Sequence, residues 1–385
     1  MRIVCVHQGY ELYGSDRAFI DSVMALREAW PQADLEVVLP RDGPICMPLR
    51  ASATRIVIEP LFILRRRALG RLILTAPFRI MPAFWRAARR MRAADLVYVN
   101  TVVVLDYLLA ARLFSRKTLV HVHEIPDGLK LLMFRRLLRW TRAEVICNSK
   151  ATRAAYRLPA SHTQHVVYNG IAPPPRFDTT HYDGTRPLRL LVLGRISRIK
   201  GQDLLIEALA LLPKAIAQRL EVRIVGESFQ NDAPREAALH QAVTAAGLDA
   251  IVRFEPFQDD TAPLYRWTDI VVVPSRLPES LGRVAIEAMA HGRPPLVARI
   301  GGLTEIVQDG VTGWVVPPND AGVLARTIAA IATEPDLWRG YGAAARARFE
   351  STFAARNIAR QFQAIVRARF GAENDQRAAA GLARV

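Results

Sequence analysis

Short apolar runs alternate with longer amphipathic stretches along most of the chain. The runs are rich in Val, Ile and Leu and stop at Gly, Pro or polar residues, which is typical of buried parallel strands. We predict strands at 3–6, 35–39, 55–59, 96–100, 118–121, 144–148, 165–168, 188–193, 222–225, 252–254, 269–273 and 296–298. Helical patterns separate many of these strands, and this alternation predicts an α/β fold with doubly wound, mostly parallel sheets.

The length of the chain predicts two domains. At 385 residues it exceeds one ordinary hydrophobic core. Three consecutive prolines, 173–175, and a polar stretch up to Pro187 predict a stiff linker. We therefore place one domain at 1–175 and a second at 186–352. The N-terminal apolar run is too short for a signal peptide and no uncharged stretch reaches about 18 residues. With three cysteines and no disulfide pattern, we expect a cytoplasmic protein.

Positive charge is the strongest compositional bias. The formal net charge is +16, which predicts an anionic partner. Residues 61–92 contain nine arginines (65, 66, 67, 71, 79, 86, 89, 90 and 92) and no acidic residue, and 130–142 repeats this mixture of cations and large apolar residues. Basic amphipathic helices favour an anionic membrane surface, at about 1 kcal/mol per cation. A solvated helix face or a grip on an anionic acceptor stays open. No nucleic-acid-binding module accompanies the arginines, so we expect no nucleic acid.

Two loops have the composition of phosphate sites. After strand 3–6, Gly14 and Ser15 precede a helix predicted to open near Arg17, with Ser15 or Asp16 as its N-cap. After strand 188–193, the chain reads Gly194, Arg195, then Lys200, and a helix follows. Glycine turns and cations at a helix start predict a site for a diphosphate.

A third loop carries two glutamates. Residues 274–292 read P-S-x-x-x-E-S-x-G-x-x-x-x-E-A-M-A-x-G, with Glu279 in the turn and Glu287 eight positions later in a helix. Gly282 permits the tight turn between them. Two isolated glutamates would usually be surface residues. This pattern, however, resembles the E-x7-E signature of the retaining GT-B glycosyltransferases of family 4.

The resemblance implies a GT-B fold of two Rossmann-like domains, with a helix at 353–370 crossing back to the first domain and a frayed tail at 371–385. It assigns Glu279 to the hydroxyls of the donor sugar, Glu287 to the nucleotide ribose, and Arg195 and Lys200 to the diphosphate. His123, at the end of strand 118–121, would approach the sugar, although a structural histidine is the alternative. Besides these residues, the resemblance implies donor contacts at Gly14, Ser15, Gly194, Gly226, Leu281 and Gly282.

The implied activity is transfer of a hexosyl group from a GDP- or UDP-linked sugar to a hydroxyl, with retention and without a metal or cofactor. The basic face favours a lipid-linked saccharide acceptor in surface polysaccharide or lipopolysaccharide synthesis, on the inner face of the cell membrane. A GT-B nucleotide-sugar epimerase, or a basic nucleic-acid- or membrane-binding protein without transfer activity, are the alternatives.

Overall fold

A computed structural model describes residues 1–12, 14–64, 69–126, 128–177, 182–228 and 233–382, with the side chains of 69–78, 233 and 372–382 excepted. Two compact units make up the chain. The first consists of Met1–Gly170 with Ala355–Val385, and the second of Ile171–Ala354.

The first unit is built on a seven-stranded parallel sheet in the order β3-β2-β1-β4-β5-β6-β7. The strands are β1 (Arg2–His7), β2 (Asp34–Leu39), β3 (Arg55–Ile58), β4 (Leu96–Asn100), β5 (Thr118–Val122), β6 (Glu144–Cys147) and β7 (Gln164–Val166). Helices connect them: α1 (Gly14–Ala29), α2 (Cys46–Leu49), α3 (Leu69–Ala93), α4 (Leu105–Ala111), α5 (Gly128–Thr141) and α6 (Lys150–Tyr156), with a 3-10 turn at Ser115–Lys117. These crossovers make all seven strands run in the same direction, so their carboxyl ends lie at one edge of the sheet.

The second unit repeats this plan with a six-stranded parallel sheet, β10-β9-β8-β11-β12-β13. Its strands are β8 (Leu188–Leu193), β9 (Leu220–Val225), β10 (Val252–Glu255), β11 (Ile270–Val273), β12 (Pro295–Ala298) and β13 (Trp314–Val316). Its helices are α7 (Gln202–Ala210), α8 (Lys214–Ala217), α9 (Ala233–Ala245), α10 (Ala262–Trp267), α11 (Arg283–Ala290), α12 (Leu303–Ile306), α13 (Ala321–Thr333) and α14 (Tyr341–Arg348), with a 3-10 turn at Pro335–Trp338 and a π-helical turn at Phe349–Phe353.

The last helix, α15 (Ala355–Leu382), returns the chain to the first unit. Its Phe362, Val366 and Phe370 are buried in the same core as Ile3 and Phe19. The helix runs twelve residues past Phe370, where we predicted it to end. Residues 371–382 contain four alanines, the strongest helix former, so local propensity favours helix where apolar anchors stop, despite Gly371 and Gly381.

Sequence periodicity therefore predicted the α/β fold and both parallel sheets. The twelve predicted strands are all present, with ends shifted by three residues or fewer, and β13 is a thirteenth that we did not predict. The helix after β1 starts at Gly14 rather than near Arg17. Within the described ranges, no helix is both long and apolar enough to cross a bilayer.

Candidate functional site

The loop from β8 to α7 is shaped by glycines. Gly194 and Gly201 have φ values of +133° and +69°, which side chains other than glycine rarely adopt. A Cβ on Gly201 would lie 2.0 Å from the carbonyl oxygen of Pro274, at the end of β11. At the other end of the loop, a Cβ on Gly226 would lie 2.4 Å from the carbonyl oxygen of Gly194. The backbone is thus packed at the carboxyl ends of β8, β9 and β11, which fixes where the intervening cations lie.

Lys200 and Glu279 form the central charged pair of the second unit. The Lys200 ammonium lies 2.8 Å from Glu279 Oε2, and the Ser275 hydroxyl donates a hydrogen bond to the other carboxylate oxygen. Both charged side chains are partly buried, at 25% and 10% exposure. Each side chain therefore loses part of its hydration, and its oppositely charged partner compensates for this loss. The pair places a cation beside a hydrogen-bond acceptor at the carboxyl ends of β8 and β11.

Two glycines hold the backbone of Glu279 in place. The Gly302 N–H donates to the Glu279 carbonyl oxygen at 2.9 Å. Gly301 has a φ of +56°, and a Cβ there would lie 2.2 Å from the same oxygen. No side chain fits between these two loops, so Gly301 and Gly302 fix the position of the glutamate.

Glu287 is positioned by two neighbours. Tyr265 donates its hydroxyl proton to Glu287 Oε2 at 2.8 Å, and Arg283 Nε donates to Oε1 at 2.9 Å. The tyrosine is fully buried, and this burial raises its pKa well above the usual value, so the hydroxyl stays a donor. The carboxylate is half-buried on α11, whose first residue follows Gly282 at a φ of +95°. It is thereby held in one orientation with part of its surface accessible.

The other predicted donor residues of this unit occupy the same loops. Arg195 is exposed, directly after Gly194, while Leu281 is buried beside Gly302. Leu281 thus contributes packing, and a ligand would meet the backbone of its turn. Gly14 and Ser15, in the first unit, form the half-buried first turn of α1.

The first unit holds a buried chain of hydrogen bonds at the carboxyl edge of its sheet. His7 Nε2 lies 2.7 Å from Asp16 Oδ1, and Asn100 Nδ2 lies 3.0 Å from His7 Nδ1. The side-chain oxygen of Asn100, Oδ1, lies 2.8 Å from His123 Nε2. The Asp16 carboxylate can only accept, so His7 carries its proton on Nε2. The side-chain oxygen of Asn100 can also only accept, so His123 carries a proton on Nε2. The predicted residue His123 is therefore the last member of a four-residue relay of fixed orientation.

This environment keeps His123 neutral. Burial lowers its pKa to about 3, with His7 adding to the drop and the side chain of Asn169 opposing it. Since Nε2 carries the proton, Nδ1 keeps the lone pair. Next to it, burial raises the pKa of Glu124, while the Thr101 hydroxyl, at 2.6 Å from Oε1, opposes this shift. His123 is thus a neutral group of fixed orientation rather than a cation near neutral pH.

Sequence reasoning missed several residues that position these groups. They are His7 and Asn100 in the first unit, and Tyr265 and Ser275 in the second. Asp16, which we considered as an N-cap, instead binds His7. The signal that was available is position: His7 and Asn100 are the last residues of β1 and β4, which pair with each other.

The basic stretches form surfaces of mixed character. In the described part of 61–92, α3 buries Ala87 and Met91. Its exposed residues include Met81, Trp85 and the arginines 79, 86, 89 and 92. Arg90 differs, because it forms ion pairs with Glu36 and Glu59 and so is structural. Arg65, Arg66 and Arg67, and the side chain of Arg71, lie outside the described residues. In the second stretch, α5 exposes Met133 and Trp140 alongside Arg136 and Arg139, and Leu129, just before the stretch, is exposed too.

Both units thus have parallel sheets whose polar loops gather at the carboxyl edge, which is the arrangement of the GT-B class. Residues 182–348 match the model of the family described as "Glycosyl transferases group 1". This match lies within the second unit, and it agrees with the resemblance to glycosyltransferases that the E-x7-E pattern indicated.

Relatives and solved structures agree with this assignment. D-inositol 3-phosphate glycosyltransferase of Streptomyces scabiei is 37% identical over 166 residues, covering 42% of this chain and 37% of that protein. The chain thus spans little more than a third of the length of the curated relatives it matches. HepE of Anabaena in complex with UDP is 25% identical, covers 96% of this chain and all of that one, and has a TM-score of 0.77. Sucrose-phosphate synthase of Thermosynechococcus elongatus has the same fold, with a TM-score of 0.74. It is 22% identical, and the match covers 97% of this chain and all of that one.

Proposed function

We propose that the protein is a retaining glycosyltransferase that moves a hexosyl group from a nucleoside-diphosphate sugar to a hydroxyl acceptor. The observation that carries the proposal is the Lys200–Glu279 pair, held by glycine-built loops at the carboxyl ends of β8 and β11. A cation and an acceptor carboxylate side by side suit a ligand that has phosphates next to sugar hydroxyls.

The residues suggest how the reaction would be promoted. Breaking the bond between the anomeric carbon and the diphosphate leaves negative charge on the departing phosphate. Lys200, Arg195 and backbone N–H groups of the Gly194 loop would neutralise this charge, a preorganised electrostatic effect that needs no metal. Glu279 would hold the sugar hydroxyls, and His123 would help to orient the sugar, as the family resemblance implies. No side chain is assigned as a nucleophile, so the leaving phosphate would receive the proton of the incoming hydroxyl on the same face.

UDP is the first nucleotide to test, with GDP as the alternative. The HepE structure contains UDP, and it supports a nucleotide sugar as the partner of this fold. Glu287, held by Tyr265 and Arg283, offers a carboxylate oxygen to ribose hydroxyls.

The exposed face of α3 and α5 supports a membrane-bound acceptor. On each of these helices, arginines lie beside large apolar side chains, and anionic lipid attracts such cations by about 1 kcal/mol each. We propose that the protein lies peripherally on the inner face of the cell membrane and glycosylates a lipid-linked saccharide of surface polysaccharide or lipopolysaccharide synthesis. Failure to bind vesicles that contain phosphatidylglycerol, at moderate salt, would remove this part of the proposal.

Thermal unfolding with nucleotides tests the donor site directly. UDP, GDP, ADP and CMP are added separately to the wild-type protein and to Glu287→Ala. A ligand at 100 times its Kd adds about 2.7 kcal/mol to the free energy of unfolding. We expect one diphosphate, UDP first, to raise the Tm of the wild type and to have little effect on the variant. Equal stabilisation of both proteins would remove Glu287 from the site, and no stabilisation by any nucleotide would contradict the proposed function.

A further inference from the structure

A cavity of about 950 Å³ in the first unit is not explained by the proposed transfer reaction. It is lined by four arginines, Arg116, Arg139, Arg142 and Arg369, and by a single carboxylate, Glu144. The remaining lining includes small apolar residues of α15. The cavity is thus a large, positively charged concave surface.

Its position separates it from the candidate catalytic residues. Arg116 lies two residues before the start of β5, Arg142 lies two residues before β6, and Thr163 directly precedes β7. Because the strands are parallel, these residues lie at the amino edge of the sheet, whereas His123 follows β5 at the carboxyl edge. A five-residue strand spans roughly 16 Å, so one ligand of ordinary size cannot contact both edges.

The charges in the cavity are not balanced by the protein. Glu144 is already shared, since Arg369 Nε lies 3.2 Å from Oε2 and His165 Nε2 lies 2.6 Å from Oε1. Among the described residues, no carboxylate pairs with Arg116, Arg139 or Arg142. Three exposed guanidinium groups therefore share one concave surface and have no carboxylate partner among the described residues, which concentrates positive potential there.

The chemistry of these groups selects the ligand. Guanidinium groups bind phosphate oxygens through paired N–H donors, and several of them around one cavity favour a ligand with more than one negative charge. The hydroxyls of Ser115, Ser161 and Thr163 at the rim supply further donors. A carboxylate ligand of single charge would leave most of this positive charge unpaired.

We propose that this cavity is a second anion site, which binds a phosphate-bearing ligand of two or more negative charges. The phosphate belongs either to a free metabolite or to a lipid headgroup. Arg139 lies on α5, next to the exposed Trp140, so a headgroup at a membrane surface is within reach of the cavity.

Titration calorimetry with sodium pyrophosphate at low salt tests the site. The full-length protein is compared with Arg116→Gln/Arg139→Gln, whose two side chains are exposed and form no ion pair with described residues. Lys200→Ala is the matched control, because it removes a cation from the proposed donor site of the other unit. We expect pyrophosphate binding that persists in Lys200→Ala and is at least about tenfold weaker in the double variant. Circular dichroism and the Tm establish that the variants fold, and Arg142→Gln provides an independent test.

Unchanged affinity in the double variant and in Arg142→Gln would overturn the proposal, as would the absence of any binding that survives Lys200→Ala. Flotation with phosphatidylcholine vesicles, with and without phosphatidylglycerol, distinguishes the sources. Loss of vesicle binding together with pyrophosphate binding assigns the site to a lipid headgroup, and loss of pyrophosphate binding alone assigns it to a free phosphate. The donor site can fail its own nucleotide test without affecting this result.

Discussion

The polar groups of the two units are held in different ways. In the second unit, Lys200, Glu279 and Glu287 are partly exposed, and charged or hydroxyl partners close in sequence or on adjoining loops hold them. In the first unit, His7, Asn100 and His123 are buried, and hydrogen bonds between neighbouring strands hold them. The comparison indicates that the candidate site of the second unit offers charged groups that a ligand can contact, whereas the network of the first unit holds a neutral His123 in a fixed, buried position.

Breaking the charged pair should have the largest effect. We expect Lys200→Ala to lower turnover by about 100-fold or more, the scale for one preorganised contact, and to weaken nucleoside-diphosphate binding. Glu279→Ala should lower turnover similarly, yet leave nucleotide affinity unchanged or higher, because it frees the ammonium for phosphate. Initial rates and Kd values with the nucleotide that stabilises the protein measure both effects.

Lys214→Ala, which removes an exposed cation from α8, is the matched control for charge. If Lys200→Ala and Glu279→Ala weaken nucleotide binding equally, the division into a phosphate-binding cation and a sugar-binding carboxylate is wrong. Near-wild-type turnover of either variant would remove that residue from the site.

The buried relay should show itself in the pH dependence of stability. Burial holds the pKa of His123 at about 3 in the folded protein, so the unfolded chain takes up the proton first as the pH falls. The free energy of unfolding therefore decreases from about pH 6.5 towards pH 3, by up to about 1.4 kcal/mol per pH unit for one proton. We expect His123→Gln to reduce this slope in urea denaturation between pH 7 and 5.

His240→Gln, at an exposed position on α9, should keep the wild-type slope. An unchanged slope in His123→Gln would mean that this histidine does not stay neutral in the fold, and the contrast between the charged groups of the second unit and a neutral, buried His123 would no longer hold.

A smaller effect is expected from Tyr265→Phe. It removes one of the two hydrogen bonds that orient Glu287 and leaves the Arg283 contact. A typical hydrogen bond contributes about 0.5–1.5 kcal/mol net, so we expect nucleotide affinity to fall about 2- to 12-fold. Tyr182→Phe removes another buried hydroxyl contact of the same unit, to the carbonyl of Ala332, and should leave the affinity unchanged. Equal Kd values for both variants and the wild type would show that Tyr265 does not act through Glu287.

The same comparison explains what the sequence could predict. The second site is encoded in short segments, 194–201 and 274–292, whose glycine and charge spacing is legible without a structure. The relay of the first site unites residues 7, 16, 100 and 123, which meet only because β1 pairs with β4 and β4 with β5. Single strands can be predicted from apolar periodicity, but their order in the sheet depends on long-range packing. Thus the family resemblance could point to His123, whose role stays a prediction, but not to its hydrogen-bond partners.

Composition alone also could not separate arginines that form structural ion pairs from arginines that are exposed to solvent. Arg90 belongs to the same arginine-rich stretch as Arg86 and Arg89, yet it alone reaches Glu36 and Glu59. Helical periodicity places it at the border of the buried face, one position before Met91. Whether a cation at such a border finds a carboxylate depends on which strands lie beneath the helix.

The way the chain enters and leaves the second unit has a practical and evolutionary consequence. Ile171 N donates to Phe353 O at 3.1 Å, and Ile171 forms a bridge with Ala354, so the first and last residues of this unit are neighbours. An insert whose ends meet can be removed from its host with little loop-closure cost on either side. Residues 171–354 thus form a natural cassette for separate expression and for exchange between related chains, and donor preference could be transplanted as one piece.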